Sequence, residues 1–145
     1  MAHPHADELR LYAVLRGDLI MSEGKANAQS GHAYVDALLH ALSSSNPEHR
    51  MAAEAYAGLF PGTKICLDGG SEADLDRLCE ACTDLAIPHT RIHDQGHVEP
   101  PHFDGSRILT AVGIGPIPRD LAPRTLRRLR LWVGGARANA SPISH

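Results

Sequence analysis

The chain has 145 residues, 43% of them hydrophobic and 21% charged, with a formal net charge of −3. That length supports one domain with a real core and leaves no room for two, and the composition marks a soluble globular class. The acidic balance argues against a dedicated nucleic-acid coat, no segment approaches the apolar length of a membrane span, and residues 1–8 hold no signal-peptide core.

In chain order, residues 9–16 (LRLYAVLR) read as a strand apolar enough to be central. A loop over 17–23 leads into a helix predicted over 25–43, with Ala28, Val35, Leu38, Leu39 and Leu42 as its buried face. Ser43-Ser44-Ser45-Asn46-Pro47 breaks it. A second helix, capped by Ser45 or Asn46 with Pro47 first, runs to about Phe60, and Pro61-Gly62 ends it. Residues 63–67 form a second strand, followed by the turn Asp68-Gly69-Gly70. Ser71 and Asp74 are spaced as a near relative of the capping box, and Leu75, Leu78, Cys82 and Leu85 give the helix behind them an apolar stripe. Pro88 stops that pattern, and 89–93 read as a third strand. Residues 94–106 form a long loop rich in Gly, Pro and His. A fourth strand spans 107–115, closed by Gly115-Pro116, and a last helix spans 119–131 with Leu121, Leu126 and Leu129 inward. The ends, 1–8 and 133–145, read as flexible termini around a single domain at 9–132. Alternating strands and helices predict an α/β sheet between helical layers, with ligands at the carboxyl ends of the strands.

Gly24-Lys25-Ala26-Asn27-Ala28-Gln29-Ser30-Gly31-His32 carries the sharpest chemistry. Lys25, Gln29 and His32 fall on one helical stripe. A cation, an amide and an imidazole beside the N–H groups of a helix start suit an anionic ligand. A lysine there is usually a solvated charge, but the helix dipole disfavours it, so an anionic partner gives it a reason. Asp94 ends a strand before Gly96 and should face the same crevice; its plainer role is a turn cap. His93, His97 and His102 invite a metal reading, yet they straddle a strand end and a glycine, so spacing does not bring them together. Cys79 and Cys82 are spaced C-x-x-C inside a helical pattern and read as small buried hydrophobes. The odd set Cys66, Cys79 and Cys82 favours reduced thiols and a cytoplasmic setting. Gly113-Ile114-Gly115-Pro116 lacks the residues of a phosphate loop and reads as close backbone packing. Arg119, Arg124, Arg127, Arg128 and Arg130 against Asp120 keep a phosphate-backbone contact open.

With these residues in place, the chain resembles the type 2 peptidyl-tRNA hydrolases, the archaeal and eukaryotic class of that activity, and reads as a divergent, bacterial-type member. The likeness rests on Arg16, Asp18, Leu19 and Met21, on Gly24, Lys25, Ala28, Gln29 and His32, then on Lys64-Ile65, Ile87-Pro88, Asp94-x-Gly96 and Gly113-Ile114-Gly115-Pro116 in the family's order. The resemblance implies a three-layer αβα sandwich around a four-stranded mixed, mostly parallel sheet. It implies hydrolysis of the ester joining a peptide to tRNA without metal or cofactor, with peptidyl-tRNA or a tRNA 3′ end as partner, and a homodimer. By carry-over, Lys25, His32 and Asp94 are the catalytic candidates. Gln29, His97, Ser106, Arg127 and Arg128 are the candidates for holding substrate. The chain departs from the family's D-x-G-R-T at His97 and Val98, which removes a hydroxyl that His97, Ser106 or Thr110 would have to replace. A non-catalytic protein binding a tRNA end or a small anion on the same fold is therefore the alternative. A metal-dependent hydrolase using His93, His97 and His102 ranks third.

Overall fold

The computed structural model describes residues 8–134, so the two expected flexible ends lie almost wholly outside the described residues. The order is β1 (Leu9–Leu15), α1 (Glu23–Leu42), α2 (Pro47–Ala57), β2 (Thr63–Asp68), α3 (Glu72–Asp84), β3 (His89–Asp94), β4 (Val98–Glu99), β5 (Phe103–Asp104), β6 (Ile108–Pro118) and α4 (Arg124–Arg127). The main sheet has four strands in the order β2-β1-β6-β3. β1 and β2 are parallel, whereas β6 runs antiparallel to both β1 and β3. Three strands thus share a direction, and the reversed one sits between β1 and β3. Two of the three neighbouring pairs are therefore antiparallel, so the sheet is mixed but not mostly parallel in its pairing.

Alternation along β1 builds the layers. Tyr12 and Val14 join Leu75, Leu78, Cys79 and Cys82 of α3 on one face. Leu9, Leu11, Ala13 and Leu15 face α1 and α2 on the other. The result is the expected αβα sandwich. Cys79 and Cys82 lie in the core, and burial pushes the Cys82 thiol up to about 12. Both are packing residues, as the helical context of their spacing implied.

Local chemistry sets the helix starts. Ser22 caps α1 by accepting the Lys25 N–H at 3.2 Å, and Asn46 caps α2 by accepting the Glu48 N–H at 2.9 Å. Ser71 and Asp74 form a reciprocal capping box on α3. α2 ends at Ala57, three residues short of expectation, and Phe60 is left on the surface.

α1 buries an alanine stripe beside the expected face, of which Leu38 and Leu42 are half-buried and Ala28 is exposed. Its buried residues are Ala26, Gln29, Ala33, Ala37 and Ala41, while Val35 and Leu39 are 56% and 58% exposed. The cause is the strand beneath. A Cβ at Gly113 of β6 would lie 2.2 Å from the Ala33 carbonyl oxygen, so helix and strand are nearly in backbone contact. At Ala33 and Ala37, opposite Gly113, nothing larger than alanine fits between surfaces that close.

Two further expectations are corrected. β6 does not stop at Gly115-Pro116 but continues to Pro118. The register against β1 shifts between Arg10 and Tyr12, and this bulge accommodates both Gly115 at φ 107° and a proline that cannot donate to the ladder. The last helix is not continuous over 119–131. It is a 3-10 turn at Arg119–Leu121 and a single α turn at Arg124–Arg127. Pro123 between them lacks an N–H and holds Ala122 extended. Leu121 consequently faces solvent, and only Leu126 is fully buried.

Candidate active site

β1, β2 and β3 end on the same side of the sheet, and the functional candidates gather there. Asp94 is the last residue of β3, paired with Ile108 of β6. Lys25 lies in the first turn of α1. Their side chains meet, Lys25 Nζ to Asp94 Oδ2 at 2.9 Å, at 10% and 20% exposure. The carboxylate supplies the negative partner that a cation at a helix start lacks. Water is largely excluded, so the attraction is stronger than for a surface pair, and removing either partner strands a charge.

The segment expected as a loop over 94–106 is a small hairpin. β4 and β5 pair through Val98–Asp104 and Glu99–Phe103, closed by backbone bonds from Gly96 to Gly105 and from Gly105 to His97. The hairpin folds back on the start of α1. Phe103 is buried among Leu15, Leu19, Met21 and Ala26, and the Lys25 ammonium stands 5.1 Å above its ring centroid. His97 packs edge-on to the same ring at 5.1 Å. Glu99 bridges two neighbours: Oε2 meets His97 Nε2 at 2.8 Å, and Oε1 accepts the Ser22 N–H at 3.0 Å. The anion expected at this helix start is thus partly the protein's own carboxylate.

The His97 hydrogen bond, followed by the Ser22 N–H, holds the Glu99 carboxyl below the usual carboxylate range. A depressed acid stabilises the fold above its unfolded pKa, and that contribution is lost as pH falls through the depressed value. Hydrogen exchange at the Ser22 amide, corrected for intrinsic rates, should therefore quicken on acidification through that range. Glu99→Gln should flatten the response; unchanged Ser22 protection across the titration would remove Glu99 as the tie.

The remaining candidates separate. His32 is exposed, makes no hydrogen bond or ion pair to a described residue, and lines a cleft of about 350 Å³ together with Asp94, Asp36, Arg91, His93 and Arg107. Gln29 shares the helical stripe but is 2% exposed, and its amide oxygen accepts the hydroxyl of fully buried Thr110. Its position is that of a strut between α1 and β6, which does not suit a substrate contact. Thr110 is equally unavailable as a replacement hydroxyl. Ser106 spends its N–H and hydroxyl on Asp104 at 2.9 and 2.6 Å, in the hairpin's last turn. Val98 is 69% exposed. Arg127 is exposed at the end of α4, whereas Arg128 lines a larger cleft beside β2. Among the described residues no three His, Cys, Asp or Glu side chains converge on a metal position, and His97 is committed to Glu99. The metal reading loses its geometric basis.

Phe103, Glu99 and Ser22 were not singled out by sequence. One signal was present: an aromatic residue in a polar Gly-Pro-His segment, beyond the Pro100-Pro101 turn, needs burial.

Residues 9–132 match the family described as peptidyl-tRNA hydrolase PTH2. A peptidyl-tRNA hydrolase of Pyrobaculum aerophilum is 31% identical over 125 residues, covering 86% of this chain and 98% of that protein. One from Staphylothermus marinus is 35% identical over 111 residues, covering 77% and 84%. The mitochondrial peptidyl-tRNA hydrolase 2 of Bos taurus is 33% identical over 125 residues, covering 86% of this chain and 65% of its own length. These relatives are archaeal and mammalian, and they give the expected bacterial type no support.

Proposed function

The chain belongs to the peptidyl-tRNA hydrolase PTH2 family, and from that premise we propose that it hydrolyses the ester of peptidyl-tRNA, releasing peptide and free tRNA. The observation that carries the proposal is the Lys25–Asp94 ion pair at the carboxyl end of the sheet, with His32 on the cleft beside it.

The chemistry is acyl transfer to water. Water adds to the ester carbonyl, negative charge gathers on the carbonyl oxygen, and the bond to the ribose oxygen breaks as that oxygen takes up a proton. Lys25 has three N–H donors, and its ion pair with Asp94 leaves donors for the developing oxyanion. Asp94 fixes the ammonium in place. The Asp94 carboxylate or the unengaged His32 imidazole holds the attacking water and accepts its proton. Incubation of the purified protein with N-acetylaminoacyl-tRNA should release free tRNA above the buffer rate. Absence of turnover where a control hydrolase works would sink the reading.

One observation favours the second reading. No hydroxyl from Ser106 or Thr110 is free near the pair, and Val98 has none. A tRNA-end binder without turnover would show salt-sensitive binding and no hydrolysis. In either case we place the protein in the translating cytoplasm as a homodimer, for which the exposed Val35 and Leu39 on α1 offer an apolar face. A monomer mass by light scattering would overturn the dimer. Among the described residues no helix is long and apolar enough to cross a membrane.

A further inference from the structure

A larger cleft, about 750 Å³, opens at the same end of the sheet beside β2. Met21 links it to the Lys25 site: it lines the cleft and packs in the same cluster as Phe103, whose ring lies under the Lys25 ammonium.

The charges of this cleft are unevenly paired. Three carboxylates and three guanidinium groups line it. Asp18 is held by Arg16 at 2.8 Å, from outside the lining, and Asp74 by Arg77. Asp68 accepts the Gly70 N–H and is otherwise engaged. Arg128 and Arg130 make no ion pair or side-chain hydrogen bond to a described residue, so their guanidinium donors are open to an anion. The glycine turn does not cradle an anion. Gly69 N–H goes to the Leu15 carbonyl, Gly70 N–H to Asp68 and Ser71 N–H to Asp74. Arg128 and Arg130 are the lining cations without a described carboxylate partner.

Trp132 lines the same cleft. The segment carrying it runs along the free edge of β2: Asp68 N–H bonds the Arg130 carbonyl and Trp132 N–H bonds the Cys66 carbonyl, each at 2.9 Å, with a Leu67–Leu131 bridge between. In extended chain, residues two apart share a face, so Arg130 and Trp132 project together. An aromatic ring packed against the core, beside two guanidiniums that pair with no described residue, is the recognition chemistry of single-stranded nucleotides.

We propose that this cleft seats the unpaired nucleotides of the tRNA acceptor end, a base stacking on Trp132 and the adjoining phosphates held by Arg128 and Arg130. The proposal rests on the hydrolase reading for the identity of the RNA, while the stacking and phosphate contacts stand on the side chains. It deepens that reading by dividing the substrate: nucleotides in this cleft, the ester at Lys25.

Trp132 is the sole tryptophan of the chain, so its fluorescence reports on the cleft. Titration of the full chain with the 5′-phosphorylated trinucleotide CCA at low salt should give a saturable change. Two phosphate contacts predict a log-affinity against log-salt slope of roughly −1.4. Arg128→Ala and Arg130→Ala should each weaken binding by about tenfold and raise KM for peptidyl-tRNA more than they lower kcat. A silent titration, undiminished binding by the double variant, or a response to an N-acetylated dipeptide in place of the trinucleotide would overturn the subsite. A protein that binds the trinucleotide but never turns over keeps the subsite and defeats the hydrolase reading. An active protein whose KM ignores both arginines does the reverse.

Discussion

Lys25→Ala is expected to lower kcat for peptidyl-tRNA by about 10²–10³-fold, the usual cost of removing one donor to a developing oxyanion. Asp94→Ala should cost a comparable factor by a different route. Without its carboxylate the Lys25 ammonium, 10% exposed over the Phe103 ring, loses its charge partner and its fixed direction. Because the two side chains act as a unit, the double variant should be little worse than the poorer single one. Lys25→Arg separates charge from geometry: it keeps the cation but alters its reach, and partial activity would locate the need in charge. A Lys25→Ala protein that folds and retains the parent kcat would remove the ion pair from the chemistry. A fully additive double variant would show that Lys25 and Asp94 act independently.

Phe103→Ala should damage stability and activity together. Its side chain is buried between the hairpin and the start of α1. Loss of a buried Phe costs about 3–5 kcal/mol, and the lower figure applies because a short two-stranded arm can relax into the space. A fall in Tm of roughly 10 °C follows for a domain of this size. Activity should fall further than stability explains, since Phe103 also supports the Lys25 ammonium from below. Phe103→Leu provides the control: it restores apolar volume without the ring's negative face. Near-parental Tm with reduced kcat would assign the ring an electrostatic role. Full kcat in Phe103→Leu would reduce it to filler.

Much of the fold could be read from local chemistry. The capping box at Ser71 and Asp74, the proline at the first position of α2 and the alternation in β1 are short-range signals, and each appears where expected. Other elements escaped because their cause lies elsewhere in the chain. Val35 and Leu39 are more hydrophobic than Ala33 and Ala37, yet the alanines are buried, since Gly113 of β6 brings the strand within backbone distance of α1. The bulge at Gly115 that carries β6 through a proline depends on pairing with β1.

The site divides in the same way. Sequence alone placed Lys25, Gln29 and His32 on one stripe, because a helical repeat is a local property, and it named the family from the order of its motifs. It also put Asp94 at a strand end. Tertiary structure decided which of these can act. It buried Gln29 against Thr110, left His32 at the surface, and closed Lys25 on Asp94. It turned the polar segment after Asp94 into a hairpin whose Glu99 and Phe103 hold the start of α1. The physical reason is range. A helix cap or a 3.6-residue stripe is satisfied by neighbours in sequence, but a charge pair or a buried ring is satisfied only by residues that the fold brings to it from far along the chain.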